Sequence, residues 1–324
     1  MALQSSGYIS LNDVNVELGN SGTANINMGS ADVRDLFDVA SGSITMADGY
    51  GASSVIPITR GIFAGGGDVI DYITIQTLGN AIDFGNLTIG RGPGAGSDLI
   101  RGVFGGGYNG GAKNRIDYIT IATPSNATDF GNLVNSRYQV TGTSDVIRGL
   151  FAGGINGTNI IEYITIQTLG NTTDFGNLTV GRYGSEACAD ATRGVIAGGY
   201  NSRATIDYVT IQTTGNAIDF GDLGYPRQYF GACADATRGV FAGGRNSSNV
   251  YVNVIDYITI QTTGNSTDFG DLSTTSGSGA CSDATRACIA VGTTIDYVTI
   301  QTTGNGTNFG NTTVNRTSVG ISGQ

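Results

Sequence analysis

Histidine and tryptophan are missing from this 324-residue sequence, and lysine occurs once, at Lys113. Without histidine there is no His-based catalytic triad, no His metal site and no side chain that ordinarily titrates near neutrality to act as a general base. Long apolar runs are missing too. No stretch approaches the ~18 residues of a membrane span, so membrane insertion is not expected. The start, Met1 to Ser6, has neither a basic region nor an apolar run, so no signal peptide is expected. Basic charge is scarce: the net charge of −10 argues against nucleic acid, whose phosphates reward Lys and Arg. No heptad or triple-helical segment occurs, and no close cysteine pair has zinc-site spacing. No cofactor and no metal are expected.

What is present is repetition. Ile-Asp-Tyr-Ile-Thr-Ile-Gln-Thr, a Gly-Asn turn and Asp-Phe-Gly begin at Ile70, Ile116, Ile161, Ile206, Ile255 and Ile295. Before each copy runs Arg-Gly-Val-Phe-Ala-Gly-Gly, from Arg60, Arg101, Arg148, Arg193, Arg238 and, degenerate, Arg286. Starts recur every 40 to 49 residues, a period of propellers and solenoids, whose units cannot bury their faces alone. Glycine, 53 residues, sits largely at fixed repeat positions.

The repeat reads as four strands, a to d. In the copy at 184–223, strand a is Gly184–Ala189, b is Gly194–Gly198, c is Ile206–Thr213 and d is Ala217–Leu223. Strand c is rich in β-branched residues and Tyr. Tyr208 points to one side, Val209 and Ile211 to the other, so both faces are apolar. That suits a blade packed between two neighbours rather than a sheet with one wet face. The expected fold is all-β: a six-bladed β-propeller with four-stranded blades over residues 54–324. A segment near 314–322 matches the lead-in to strand a and is expected to close the ring beside Gly61 to Gly66. Gly51 to Ile58 is the rival, weakened by Pro57.

These residues resemble the kelch repeat, in which a Gly-Gly doublet ends one strand and an aromatic marks the outer strand. The doublets are Gly65-Gly66, Gly106-Gly107, Gly153-Gly154, Gly198-Gly199 and Gly243-Gly244, with Val291-Gly292 in the last copy. Phe84, Phe130, Phe175, Phe220, Phe269 and Phe309 stand where the family usually has Trp.

Residues 1–53 lack the repeat and read as a small α/β module with short strands and capped turns or helices. Ser6-Gly7-Tyr8-Ile9-Ser10-Leu11-Asn12-Asp13 is echoed by Ser41-Gly42-Ser43-Ile44-Thr45-Met46-Ala47-Asp48. Ser30 is a candidate helix cap, with Val33, Leu36 and Phe37 on one face. The Ser-Gly-x-Ile-Ser-Leu-x-Asp-Val pattern, Asp32 to Leu36 and Ser41 to Gly51 resemble a module at the start of tailed-phage virion proteins, marine phages especially. The resemblance implies attachment to other virion proteins through residues 1–53, with Ile9, Leu11, Val33, Leu36 and Phe37 as anchor candidates. It also implies several like copies in the particle and synthesis in the host cytoplasm.

The repeated polar residues read as structural. Asp-Phe-Gly, six times with Asn308 in the last copy, has none of the kinase partner motifs. Asp98, Asp145, Asp190, Asp235 and Asp283 admit two readings, a cation-binding ring or turn caps; caps are expected. Asp71, Asp117, Glu162, Asp207, Asp256 and Asp296, heading strand c, read as blade-linking acceptors. Arginine at set positions, including Arg91, Arg137, Arg182, Arg227 and Arg316, suggests a planar fork holding backbone or carboxylates. Cys188, Cys233 and Cys281 read as small buried side chains; Cys288 lies across a hairpin from Cys281, which leaves a disulfide open.

Variation between copies gathers in the b–c loops and d–a connections, which a meander places on one rim. That rim supplies the binding candidates Tyr108, Asn109, Arg115, Tyr138, Tyr183, Tyr200, Arg203, Tyr225, Tyr229, Arg245 and Tyr251, suited to contact with sugars or proteins. Ordinary drift of exposed loops is the competing explanation. The expected function is a non-enzymatic phage virion structural protein, a tail or neck fibre or capsid decoration that displays a propeller toward a host-surface glycan or protein. A glycan-cleaving propeller and a cellular kelch-type scaffold are the alternatives.

Overall fold

The computed structural model describes residues 60–155, 158–200, 204–316 and 319–322. The chain divides into two units, Met1–Ile58 and Thr59–Gln324; the described residues all belong to the second. The candidates Ile9, Leu11, Val33, Leu36, Phe37 and Arg203, like Pro57, lie outside them.

Six antiparallel sheets make a six-bladed all-β propeller. Blade 1 holds β1 (Arg60–Ala64), β2 (Val69–Thr74) and β3 (Ile82–Asn86); blade 2 holds β4 (Gly94–Ser97), β5 (Arg101–Gly105), β6 (Lys113–Thr120) and β7 (Thr128–Arg137). Blade 3 holds β8 (Thr141–Ser144), β9 (Arg148–Ala152), β10 (Ile160–Thr165) and β11 (Thr173–Asn177). Blade 4 holds β12 (Glu186–Ala189), β13 (Arg193–Ala197), β14 (Thr205–Thr210) and β15 (Ile218–Asp222). Blade 5 holds β16 (Gly231–Ala234), β17 (Arg238–Ala242), β18 (Val254–Thr259) and β19 (Thr267–Asp271). Blade 6 holds β20 (Ser278–Ser282), β21 (Arg286–Thr299) and β22 (Thr307–Arg316). β21 covers both middle strands. It turns back on itself near Gly292 (φ +66), so that the Ile300 N–H donates to the Thr285 carbonyl at 2.9 Å.

The innermost strand of blade 1 is β23 (Val319–Ser322), which pairs antiparallel with β1 from Gly61↔Ser322 to Ala64↔Val319. The chain's last strand therefore sits against its first described one. The six inner strands neighbour one another in sequence around the axis, β23 meeting both β20 and β4.

The core is six cores. Each cluster takes residues from two successive blades: Ile206, Tyr208 and Phe220 of blade 4 pack with Phe241, Ile258 and Ile260 of blade 5, while Val209 and Ile211 face Leu150, Ile161 and Phe175 of blade 3. At roughly 1.5–3 kcal/mol per buried large apolar side chain, a blade on its own would forfeit both faces. A blade is thus stable only against its neighbours.

The Phe-Gly of each outer strand is a β-bulge. In blade 4 Ile206 pairs with Gly221 and Asp207 with Asp219, leaving Phe220 unpaired in the ladder. The bulge turns Phe220 inward, edge-on to Tyr208 at 6.1 Å. Glycine must follow: Gly221 has φ +145, and a Cβ on it would overlap the Gly264 carbonyl of the next blade.

Candidate functional site

The two rims are held differently. On the rim of a–b and c–d turns, each Arg that opens strand b lies over the Tyr of its own blade, 4.1 Å for Arg193 on Tyr208. It then donates to a carbonyl of the next blade, 2.9 Å to Ile260. All six copies do both. The Asp series caps its turns: Asp190 Oδ1 accepts from the N–H groups of Thr192 and Arg193 at 2.8 and 2.7 Å. Its second oxygen accepts from Gln261 of the next blade at 2.5 Å. Burial pushes the Asp190 carboxyl up, but the bonds from Gln261, Arg193 and Thr192 outweigh it and hold the group below its ordinary value; Asp235 behaves alike through Gln301.

This Gln–Asp latch joins five blade pairs, Gln76 to Asp283, Gln167 to Asp98, Gln212 to Asp145, Gln261 to Asp190 and Gln301 to Asp235. Among the described residues there is no sixth latch: the inner strand of blade 1, β23, is not joined to β1 by a hairpin turn, and the facing residue on blade 2 is Ala122 instead of Gln.

At the heads of the c strands the acids link blades as expected. Asp207 accepts from the Thr179 hydroxyl at 2.6 Å and pairs with Arg182 at 3.0 Å, both from the preceding connection, with Arg182 and Asp207 fully buried. Asp117 with Arg91, Glu162 with Arg137 and Asp256 with Arg227 repeat the ion pair, and Asp117 also accepts from the Thr88 hydroxyl at 2.7 Å. Burial lowers the Arg137, Arg182 and Arg227 guanidinium groups from their ordinary value, and the paired carboxylates oppose that shift. The four cysteines are free and buried. Burial pushes Cys233 up to about 12. Cys281 and Cys288 are register partners.

The rim of b–c loops and d–a connections is built on the glycine doublets. Gly106 (φ +70) and Gly107 (φ +109) turn the chain out of β5, and the Gly107 N–H donates to the Arg137 carbonyl at 3.0 Å. The loop is thereby tied to the connection beside it. Tyr108 meets Tyr138 at 5.1 Å, and Tyr183 stacks on Tyr200 at 4.8 Å and 16°. Arg245 lies over Tyr251 at 4.3 Å and donates to its hydroxyl at 2.6 Å, while Asn246 donates to the Tyr225 hydroxyl at 3.4 Å. Asn109 donates to the Gly90 carbonyl at 2.8 Å. Arg115 lies within β6, ion-paired with Asp117 at 2.9 Å and Asp129 at 3.4 Å.

Tyr229 and Gln139 adopt left-handed backbone, φ +55 and +58, uncommon outside glycine. The equivalent Gly184 (φ +63) lies between them: its N–H donates to the Gln139 carbonyl and its carbonyl accepts from the Tyr229 N–H. The Tyr229 ring covers Gly184, within 2.6 Å of where a Cβ would be, and the Gln139 side chain hydrogen-bonds to Tyr229. Burial and then the nearby Tyr183 raise the Tyr229 phenol, against pulls from Gln139 and Arg245. Three successive blades thus share one ladder at the loop-rim end of the central channel.

Sequence reasoning passed over Gln139, Ser185 and Gln228, and met Glu186 only as the Glu-Ala-Cys variant of Gly-Ala-Cys. The signal was in the copies: Glu186 occupies the register held by Gly94, Thr141, Gly231, Gly279 and Val319 in the other blades. Among the described residues no group of three or more Cys, Asp or Glu is placed to hold a metal ion, and no helix is long and apolar enough to cross a membrane.

The fold and rim define a closed six-bladed propeller with one face of repeated blade-locking turns and one face of more varied loops. No family model matches the chain, and no curated protein matches it.

Proposed function

We propose that this chain is a non-enzymatic structural protein of a tailed-phage virion, a tail or neck fibre or capsid decoration. Residues 1–53 bind other virion proteins, and the propeller is displayed in several copies with its loop rim toward a host-surface glycan or protein. The protein is made in the host cytoplasm, takes no cofactor and neither binds nucleic acid nor enters a membrane. The propeller belongs with kelch-like repeats, with Phe in the place of the outer Trp. The contrast between rims carries the display reading: side chains that lock blade to blade recur in copy after copy, while the residue after the glycine doublet is an exposed Tyr only in blades 2 and 4, Tyr108 and Tyr200, and exposed Tyr225 stands in one connection. The resemblance of residues 6–51 to phage virion modules carries the particle reading.

Deleting residues 1–53 should leave a folded propeller that no longer enters particles. Particles that carry the truncated chain at normal copy number would reject the anchoring role.

A further inference from the structure

Exposed apolar side chains gather in one sector of the turn rim. Leu99 and Ile100 of blade 2 and Val146, Ile147 and Leu169 of blade 3 are each more than half exposed. They lie together. Ser97 and Ser144, which lead into the two a–b turns, are bonded to each other: the Ser97 N–H donates to Ser144 Oγ at 2.8 Å, and the Ser144 hydroxyl donates to the Ser97 carbonyl at 2.6 Å. Leu169 follows two residues after Gln167, whose amide donates to Asp98, so its turn stands beside the blade 2 turn. The fold does not require these residues. Blades 4, 5 and 6 make the same turn with Ala191-Thr192, Ala236-Thr237 and Ala284-Thr285. There the Thr hydroxyl donates to the capping Asp at 3.1 Å and accepts from the latch Gln at 2.9 Å. Ile100 and Ile147 forgo both bonds and hold apolar surface in water instead. A contiguous patch of this kind marks contact with a partner. Its charged neighbours are already engaged: Asp98 and Asp145 cap their turns, and Arg101 and Arg148 lie over tyrosines.

Two observations bear on what covers it. First, the chain joins the ring beside the patch. Arg60 donates to the Ile121 carbonyl at 2.8 Å, and the Ile121 N–H donates to the Ile100 carbonyl at 2.8 Å. Residues 1–59 therefore enter at this sector of the turn rim, and whatever residues 1–53 bind is held to it by the chain itself. Second, the patch is small. Its side chains offer roughly a few hundred Å², against the ~800 Å² per partner of a stable interface. Alone it would not hold a second copy of this chain. A partner already bound through residues 1–53 meets it as an intramolecular event, for which a small patch suffices.

We propose that the apolar turns of blades 2 and 3 are a second docking surface for the virion protein that residues 1–53 bind, and that they meet an apolar, uncharged surface on it. The inference rests on the anchoring role of residues 1–53 and adds one sector of the propeller to that role. The propeller is then seated by its turn rim, which leaves the loop rim turned away from the particle.

The test compares full-length chains on the phage particle proposed for them. In one, Leu99→Ala, Ile100→Thr, Val146→Ala and Ile147→Thr give blades 2 and 3 the Asp-Ala-Thr-Arg turn of blades 4 to 6. That turn is native to this ring, so the melting temperature should not fall. Copies retained per washed particle should fall about threefold or more. Ile218→Thr, a similarly exposed side chain on β15, should change neither. In the unaltered chain, amides of residues 98–101 and 145–148 should gain protection on the particle. No such protection overturns the site, as does retention unchanged by the four substitutions or an equal loss in Ile218→Thr. Sedimentation that shows a dimer of the free protein, reduced to monomer by the four substitutions, overturns it in favour of a second copy. Amides of those turns that are slow in the free full-length protein and fast once residues 1–53 are deleted overturn it in favour of this chain's own first residues. The truncation separates the two readings. Incorporation lost on truncation but kept with the four substitutions rejects the patch alone, and incorporation kept on truncation rejects the anchor and the patch with it.

Discussion

The two rims of this ring follow opposite rules. On the turn rim, Arg193 reaches the Ile260 carbonyl, Gln261 reaches Asp190, and the Asn216 side chain accepts from the Asn177 N–H of the preceding blade, all in near-identical copies around the ring. On the loop rim, repetition thins above the buried Arg–carboxylate pairs: Gly-Gly-Tyr-Asn recurs only in blades 2 and 4, and blades 3 and 5 carry Ile155 and Arg245 after the doublet. What recurs holds the shape, because every blade must meet its neighbours in the same way. What differs has been released from that duty.

The comparison can be broken most severely from below the loop rim. Asp207→Ala would leave Arg182 buried and unpaired, and should cost about 3–5 kcal/mol in chemical denaturation of the full chain; a cost near zero would mean that these pairs do not link the blades. Gly176 (φ +147) faces the Gly215 carbonyl of the next blade with no room for a Cβ, so Gly176→Ala should cost about 1–3 kcal/mol, while Gly215→Ala, in open space, should be nearly silent.

The latch comes next. Gln261→Ala should cost about 1 kcal/mol at neutral pH. Asp190 is held below its ordinary value, so its contribution is present above the unfolded aspartate pKa and is lost as pH falls through the folded one. The penalty should therefore shrink in acid. Ala122→Gln, facing no Asp, should gain nothing, and a gain equal to one latch would contradict the seam. Glu186 has the reverse sign. Its folded pKa is raised by burial, so stability falls as pH rises from the ordinary glutamate range toward that value, and Glu186→Gln should raise the melting temperature at neutral pH but not near pH ~4. The smallest effect belongs to the loop rim: Tyr200→Ala should change stability by less than about 0.5 kcal/mol while weakening ligand binding. The opposite pattern would make this tyrosine structural.

The blade pattern was legible because both signals are local. Alternation in Ile206–Ile211 showed two apolar faces, and the Gly-Asn and Asp-rich turns marked the hairpins. The Asp caps and the acids heading strand c were readable for the same reason. The Gln–Asp latch was not, because its partners lie about one and a half repeats apart and meet only when blades stand side by side. Ala122 and the missing turn of blade 1 make sense only once the ring closes through the chain's end. The turn rim also looked more uniform than it is. Leu78, Leu99, Ile100, Val146, Ile147 and Leu169 are exposed on blades 1 to 3, where blades 4 to 6 carry Thr214, Thr192, Thr237, Thr263, Thr285 and Thr303. Glu186 was legible only as the Glu-Ala-Cys variant of Gly-Ala-Cys, in a strand read as small and compact.

Amide hydrogen exchange of the protein on the phage particle proposed for it, compared with the free protein, tests most directly the proposal that residues 1–53 dock and the loop rim faces outward. Protection gained on assembly should fall within residues 1–53 and the turns at 98–101 and 145–148, with residues 108–115, 183, 200, 225–229 and 245–251 exchanging as they do in solution. Protection of those loop segments on the particle, with none gained in residues 1–53, would contradict it.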